Sequence, residues 1–265
     1  MQKSTNKIIW ITGASSGIGE ACAYIFAAEG NKLILTGTRE GQLKKVQQKC
    51  IDLGAECEIL PADLSQTEQL DTLTDRALSF FGKIDVMFHN AGISQRGKSV
   101  DTDFSVDKKI MDINFFAPVK ITKRLLPAMI AGGGGTLAVT TSISGKFGFP
   151  LRSAYASSKF ALYGFFETVQ AEYYDQDIRV VMVCPGRVKT NISCNALEAD
   201  GTRHAQMDAG QAEGIPAEKA ARKIVKAIWK QKPEVLVGGK ELLMVYIKRF
   251  FPGLARKIVR KIRTT

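Results

Sequence analysis

The sequence predicts an α/β fold in which a parallel sheet is doubly wound, with helices on both faces. Three observations lead there. Short, nearly continuous apolar runs alternate with stretches of helical periodicity along most of the chain. A glycine-rich turn follows the first such run directly and opens the first helical stretch. The length of 265 residues suits one large domain, and 45% apolar with 24% charged residues is ordinary for a globular protein.

Residues 7–12 (KIIWIT) read as a strand buried on both faces, since central parallel strands show no polar alternation. Gly13, Ser15, Ser16, Gly17, Ile18 and Gly19 form the turn after it, and a helix is expected over 20–29. Strand, glycine turn and helix N-terminus is the arrangement in which backbone N–H groups hold a pyrophosphate. The spacing is G-x-x-x-G-x-G rather than the commoner G-x-G-x-x-G. Lys32–Thr36 is the second strand, and its end should meet an adenosine ribose. NAD sites usually place Asp or Glu there. Here stand Gly37, Thr38 and Arg39, and the planar fork of Arg39 suits a 2'-phosphate, so NADP is expected ahead of NAD. Glu40 either serves the ribose or begins the next helix, where a first-turn acid is favoured.

Helices over 40–53 and 65–81 alternate with strands over 56–60 and 84–88. Asp63 and Leu64 lie past the third strand, at the edge where ligands sit in such sheets, although Asp63 equally reads as a cap for the following helix. After the fourth strand, His89 reads as a packed, hydrogen-bonded ring rather than a base. Asn90, Ala91 and Gly92 follow it, small enough to let a cofactor approach the backbone. Residues 106–130 read as one long helix, kinked because Asn114 has low helix propensity and Pro118 lacks an N–H and crowds the Asn114 carbonyl. The glycines of 132–135 lie between helix and strand and read as a connector.

A fifth strand over 136–141 ends in Ser142, where a hydroxyl could meet a substrate oxygen. The helix expected from 153 to about 176 carries Tyr155 and Lys159, four apart and so on one face. An ammonium ~4 Å from a phenol, at an effective dielectric of ~20, favours the phenolate by at most ~4 kcal/mol. That would tune a group of pKa ~10 for acid–base work near neutrality. The sixth strand, 178–183, leads to Pro185, Gly186 and Thr190; residues 191–215 then lose the rhythm and are expected to form a mobile lid over substrate. A helix over 216–230 and the strand Glu234–Val237 close the pattern.

The net charge of +11 is concentrated at the C-terminus, where eight Lys or Arg face one Glu between Lys240 and Thr265. After an apolar stretch over 242–251, Leu254, Ile258 and Ile262 recur every four residues among Arg256, Lys257, Arg260, Lys261 and Arg263. The expected organisation is therefore a dinucleotide-binding catalytic domain, 1–239, and a basic amphipathic tail, 240–265. Such a tail either lies on an anionic membrane surface, each Lys or Arg adding ~1 kcal/mol, or packs on the body or a partner subunit. No stretch reaches the ~18 apolar residues of a spanning helix. Residues 1–7 leave no room for a secretory apolar segment. Five scattered cysteines without a C-x-x-C pair read as reduced thiols of a cytoplasmic protein, and two histidines are too few for a histidine-rich metal site. No nucleic-acid recognition motif accompanies the basic tail.

The ordered set of Thr12, Gly13, Gly17 and Gly19, then Asn90, Ala91 and Gly92, then Asn114, Ser142, Tyr155 and Lys159, and finally Pro185 and Gly186, resembles the short-chain dehydrogenase/reductase family from about 7 to 237. The resemblance implies a Rossmann fold with a seven-stranded parallel sheet, usually dimeric or tetrameric, that interconverts a carbonyl and a secondary alcohol with NADP(H). It assigns Tyr155 as proton donor to the carbonyl and Lys159 as the group that lowers its pKa and hydrogen-bonds the nicotinamide ribose. Ser142 would polarise the carbonyl oxygen, and Asn114 would hold a water linking Lys159 to solvent. Pro185, Gly186 and Thr190 would touch nicotinamide, Asp63 and Leu64 adenine. Two positions depart: His89 stands where Asn is common, and Thr38 where NADP-preferring relatives often carry Arg. Residues 195–201 and the tail are similar to the dehydrogenase/reductase member 7 group, near the 11-beta-hydroxysteroid dehydrogenases, which implies a lipophilic substrate. The competing class is a non-catalytic nucleotide-sensing or scaffold protein, which would have no need of a phenol–ammonium pair.

Overall fold

Alternate side chains of the first strand, Ile8–Thr12 (β1), enter two different cores. Ile9 and Ile11 pack on one face, Ile8 and Trp10 on the other, all almost fully buried. Burial on both faces is the reason the run carries no polar alternation. The computed structural model describes residues 5–262; residues 1–4, part of the segment read as too short for a leader, and Arg263 of the basic tail lie outside them.

Six further strands join β1 in a fully parallel sheet: Lys32–Thr36 (β2), Cys57–Ile59 (β3), Val86–His89 (β4), Gly135–Thr140 (β5), Ile178–Pro185 (β6) and Glu234–Val237 (β7). Their spatial order is β7-β6-β5-β4-β1-β2-β3, so the winding reverses between β1 and β4. A crevice opens at the carboxyl edge of such a reversal, and ligands of doubly wound sheets sit there. Helices Gly17–Ala28 (α1), Glu40–Asp52 (α2) and Ala217–Trp229 cover one face; Leu70–Phe81 (α3), Ala117–Ala131 (α5) and Ser153–Glu172 (α6) cover the other, with Phe104–Met111 (α4) leading into α5. Fully buried Trp10, Phe26, Phe88 and Phe166 each contribute ~2–3 kcal/mol of apolar burial to this two-sided core.

At Asn114 the helix takes a widened turn: a π-helical segment, Asp112–Phe116, runs without a break from α4 into α5, directly ahead of Pro118. Pro118 has no N–H to give to the preceding turn and crowds its carbonyls, and a widened turn is a common way for a continuous helix to take up such a residue. The helix expected over 65–81 begins later, at a 3-10 turn, Thr67–Gln69, because Asp63 accepts a hydrogen bond from the Ser65 N–H and holds a turn there.

The segment 191–215, expected as a mobile lid over substrate, carries short strands that pair with the body of the protein. Its short strand Leu197–Glu198 pairs with Gln95–Arg96, and Ile215–Pro216 pairs with Val188–Lys189. The tail divides at Pro252, as the sequence predicts, into two helices, Leu243–Phe250 and Pro252–Val259, and Met244 and Ile262 reach the cleft described below. Among the described residues no helix is long and apolar enough to cross a membrane.

Candidate active site

The glycine turn after β1 is shaped by contact as much as by flexibility. Gly13 has φ +66°, and a Cβ there would lie 2.8 Å from the Ala91 Cα; one on Gly19 would overlap the Gly13 carbonyl. Asn90 staples the turn: its Nδ2 donates to the carbonyls of Thr12 (3.2 Å) and Gly13 (3.3 Å), while its Oδ1 accepts from the Thr140 hydroxyl (3.3 Å). The strand end, the turn and the residues after β4 thus form one rigid rim. The N-terminus of α1 faces the space in front of it, where exposed N–H groups favour an anion.

That space is a cleft of about 860 Å³ running along the carboxyl edge of the sheet. Gly13, Ser15, Ser16, Gly17 and Ile18 line one end together with Thr38, Arg39, Asp63 and Leu64. Arg39 donates to the hydroxyls of Ser15 (3.3 Å) and Ser16 (3.0 Å), which places its guanidinium beside the glycine turn. Glu40, by contrast, sits in the first turn of α2 and pairs with Lys44 at 2.7 Å. Further along come Asn90, Ala91, Gly92, Ser142, Tyr155, Lys159, Pro185, Gly186 and Thr190. Of the expected site residues only Gly19 and Asn114 do not line the cleft. Gly19 lies behind the turn, and Asn114 lies behind Gly92.

Asn114 is 1% exposed and fully engaged. Its Oδ1 accepts from the Ile93 N–H (2.9 Å), and its Nδ2 donates to the Ile93 carbonyl (2.9 Å) and the Ser158 hydroxyl (3.0 Å). It therefore locks the chain after β4 to α6. Lys159 donates to the Thr140 carbonyl at 2.8 Å, and its Nζ lies 5.8 Å from the centre of the Tyr155 ring. Ser142 accepts from the Ser144 N–H at 3.1 Å, so its hydroxyl is held at the end of β5. His89 is a buried ring whose Nε2 lies 2.9 Å from the Thr122 hydroxyl, as the sequence predicts.

The electrostatics correct one expectation. Burial pushes the Tyr155 phenol above its ordinary value, and a hydrogen-bonding interaction with Ser142 and the charges of Arg152 and Arg96 offset only part of this. Lys159 is not among the charges that offset this burial, and burial also lowers the ammonium's own pKa to about 8, which leaves it mostly charged at neutral pH. The phenol therefore keeps its proton at neutral pH.

Sequence reasoning missed the far end of the cleft. Arg96 and Arg152 line it, and both donate to Asp208, a residue of the presumed lid. Ser94 accepts from both guanidiniums, at 3.0 Å and 3.3 Å. Arg152 immediately precedes the Tyr155 helix, a position that could have drawn attention; Arg96 and Asp208 carry no local signal. Phe149 lies against Arg152 and Phe147 at that end, and Ile93, Ile143, Met244 and Ile262 add further apolar lining to the cleft.

A family profile described as short chain dehydrogenase matches residues 7–201. Dehydrogenase/reductase SDR family member 7B of Xenopus laevis is 39% identical over 254 residues, which cover 93% of this chain and 79% of the relative. A short chain dehydrogenase/reductase from Burkholderia phymatum, solved in complex with NAD, matches with a TM-score of 0.84 at 23% identity, covering 100% of this chain and 99% of its own. An alcohol dehydrogenase from Thermococcus sibiricus complexed with 5-hydroxy-NADP matches with a TM-score of 0.76 at 25% identity, covering 88% of this chain and 97% of its own.

Proposed function

The chain belongs to the short-chain dehydrogenase/reductase family, an oxidoreductase family acting on CH–OH groups, and we propose that it reduces the carbonyl of a lipophilic substrate with NADPH. The observation that carries this reading is the convergence of Ser142, Tyr155 and Lys159 on the cleft that the glycine turn opens. The residues fit a dinucleotide: the turn leaves no room for side chains at Gly13 and Gly19, and Arg39 stands beside the serines of the turn with a planar fork suited to a 2'-phosphate. Both NAD and an NADP derivative occur in similar solved proteins, so Arg39 is the feature that favours NADP.

When bound, the cofactor supplies the hydride. Tyr155 gives its proton to the carbonyl oxygen, and Ser142 hydrogen-bonds that oxygen as charge builds on it. Lys159 holds the nicotinamide ribose and places a cation behind the phenolate as it forms. Asn114 holds the backbone after β4 against α6, and so fixes the helix that carries Tyr155 and Lys159.

The apolar lining of Phe147, Phe149, Met244 and Ile262 favours an extended apolar substrate, and the guanidiniums of Arg96 and Arg152 favour an acceptor-rich or anionic group beside the reacting carbon. Two surfaces extend the proposal. The tail exposes Tyr246, Phe250 and Phe251 next to Lys and Arg, which suits peripheral attachment to an anionic membrane. Phe104, Phe116 and Phe160 are exposed, apolar area that a second copy in a homodimer or homotetramer would cover.

The deciding experiment is oxidation of NADPH and NADH with carbonyl compounds graded by chain length and by an added anionic group. Tyr155→Phe should lower kcat by ~100-fold or more while leaving cofactor affinity within ~3-fold. Equal turnover by the variant would remove the catalytic assignment.

A further inference from the structure

The first residues of the tail enter the cofactor side of the cleft. Glu241, in the turn Lys240–Leu242 just past β7, places its Oε1 where it accepts from the Arg187 N–H at 2.7 Å and from the Gly239 N–H at 2.9 Å. These donors belong to the loops leaving two neighbouring strands. The ladder between β6 and β7 pairs Pro185 with Val237 and ends with the Gly186 N–H donating to the Val237 carbonyl at 2.8 Å. Beyond that point the two chains have no backbone partners for each other, and backbone donors need one. A single carboxylate oxygen supplies it to both.

The surroundings are cut to this side chain. A Cβ on Gly186 or on Gly238 would overlap the Glu241 carboxylate, and one on Gly239 would lie 3.1 Å from its Oε2. Three glycines from two loops thus form a cradle for the Glu241 side chain, with Leu242 packed beside it at Gly238. Pro185, Gly186, Arg187, Thr190 and Glu241 all line the same cleft as Tyr155 and Lys159.

We propose that Glu241 is a positioning residue for the loop after β6 and, through that loop, for the nicotinamide end of the cofactor. The inference rests on the reading of Pro185, Gly186 and Thr190 as nicotinamide contacts. It makes the tail a working part of the catalytic unit: whatever displaces Lys240–Leu242 releases the loop that meets the cofactor.

The test uses the full chain with Glu241→Ala, Glu241→Gln and Thr190→Ala, measuring cofactor KM, kcat, cofactor affinity by fluorescence titration and Tm. Glu241→Ala should raise cofactor KM and Kd ~10-fold with kcat within ~3-fold, the pattern of lost binding rather than lost chemistry. Glu241→Gln keeps an oxygen acceptor at the same place and should stay within ~3-fold of the parent chain. A Gln variant as weak as Ala at unchanged Tm overturns the proposal, as does an Ala variant with normal cofactor affinity beside a weakened Thr190→Ala. If Thr190→Ala is also normal, the nicotinamide reading of the loop falls and takes the inference with it. Should Glu241→Ala fail to fold, Glu241→Asp, one methylene short, is expected to raise cofactor Kd ~5-fold, and normal affinity there has the same overturning force.

Discussion

Asp208 and Arg96, 112 residues apart, close a buried two-pronged ion pair in the wall of the cleft: Nε donates to Oδ1 at 3.3 Å and Nη2 to Oδ2. Arg152 donates to the same Oδ2 at 3.1 Å, so one carboxylate fastens the segment after β6 both to the chain after β4 and to the start of the Tyr155 helix. Removing one member of a buried pair leaves the other charge uncompensated, at about 3–5 kcal/mol. Asp208→Ala is expected to lose about 3 kcal/mol in urea unfolding and to raise KM for the carbonyl substrate. The double change Arg96→Met with Asp208→Leu should recover part of that stability. An Asp208→Ala chain as stable as the parent would show that the pair does not hold the segment.

Stability should fall on acidification through His89. Burial lowers its pKa to about 3, well below the ~6.5 of an unfolded chain. The unfolded state therefore binds the extra proton between pH ~6.5 and 3, and the stability of the neutral buried ring, full above pH ~6.5, is lost across that window. The loss approaches about 4 kcal/mol by pH 3. His89→Asn removes the titrating group, and its unfolding free energy should fall less steeply than the parent's from pH 6.5 downward. Parallel curves for the two chains would contradict the buried, neutral ring.

The proposed preference for NADP rests on Arg39. Its Nη2 donates to the Ser15 and Ser16 hydroxyls, and among the described residues no carboxylate forms an ion pair with it. Arg39→Ala should raise KM for NADPH ~30-fold, the scale of a charge-assisted bidentate contact, and change KM for NADH less than ~3-fold. Similar losses with both cofactors would place Arg39 on the fold of the turn rather than on the 2'-phosphate.

The tail offers a test free of truncation, which would also remove Glu241, Met244 and Ile262 from the cleft. Phe250 and Phe251 are 68% and 63% exposed and lie beside Arg249 and Lys248. Vesicles rich in anionic lipid should pellet the parent chain, and Phe250→Ser with Phe251→Ser should cut the pelleted fraction several-fold while turnover of a small carbonyl is unchanged. Vesicles of neutral lipid alone serve as the control. Equal pelleting of both chains from anionic vesicles would remove this surface from membrane attachment.

Much of the architecture was legible in the residue order. The seven strands were legible as short apolar runs, the glycine turn as a local motif and the shared helix face of Tyr155 and Lys159 as a four-residue spacing, and all of these act through neighbours in the chain. The run from Ile8 to Thr12 has to be a two-sided strand, because its four consecutive apolar side chains, Ile8 to Ile11, each need an apolar environment. The same locality explains the errors of detail. Whether the turn at Asn114 kinks or widens depends on what packs beside it, here the Ile93 backbone and Ser158.

The tertiary structure alone decided the rest. Asp208 reaches Arg96 across 112 residues, and Glu241 reaches the Arg187 backbone across 54, distances over which no spacing rule operates. The sign of the Tyr155 shift was likewise beyond the sequence: a nearby cation can be inferred from a four-residue spacing, but the desolvation that outweighs it is a property of the closed cleft. Composition and periodicity specify which surfaces must be buried; only the packed molecule determines which charges those surfaces bring together.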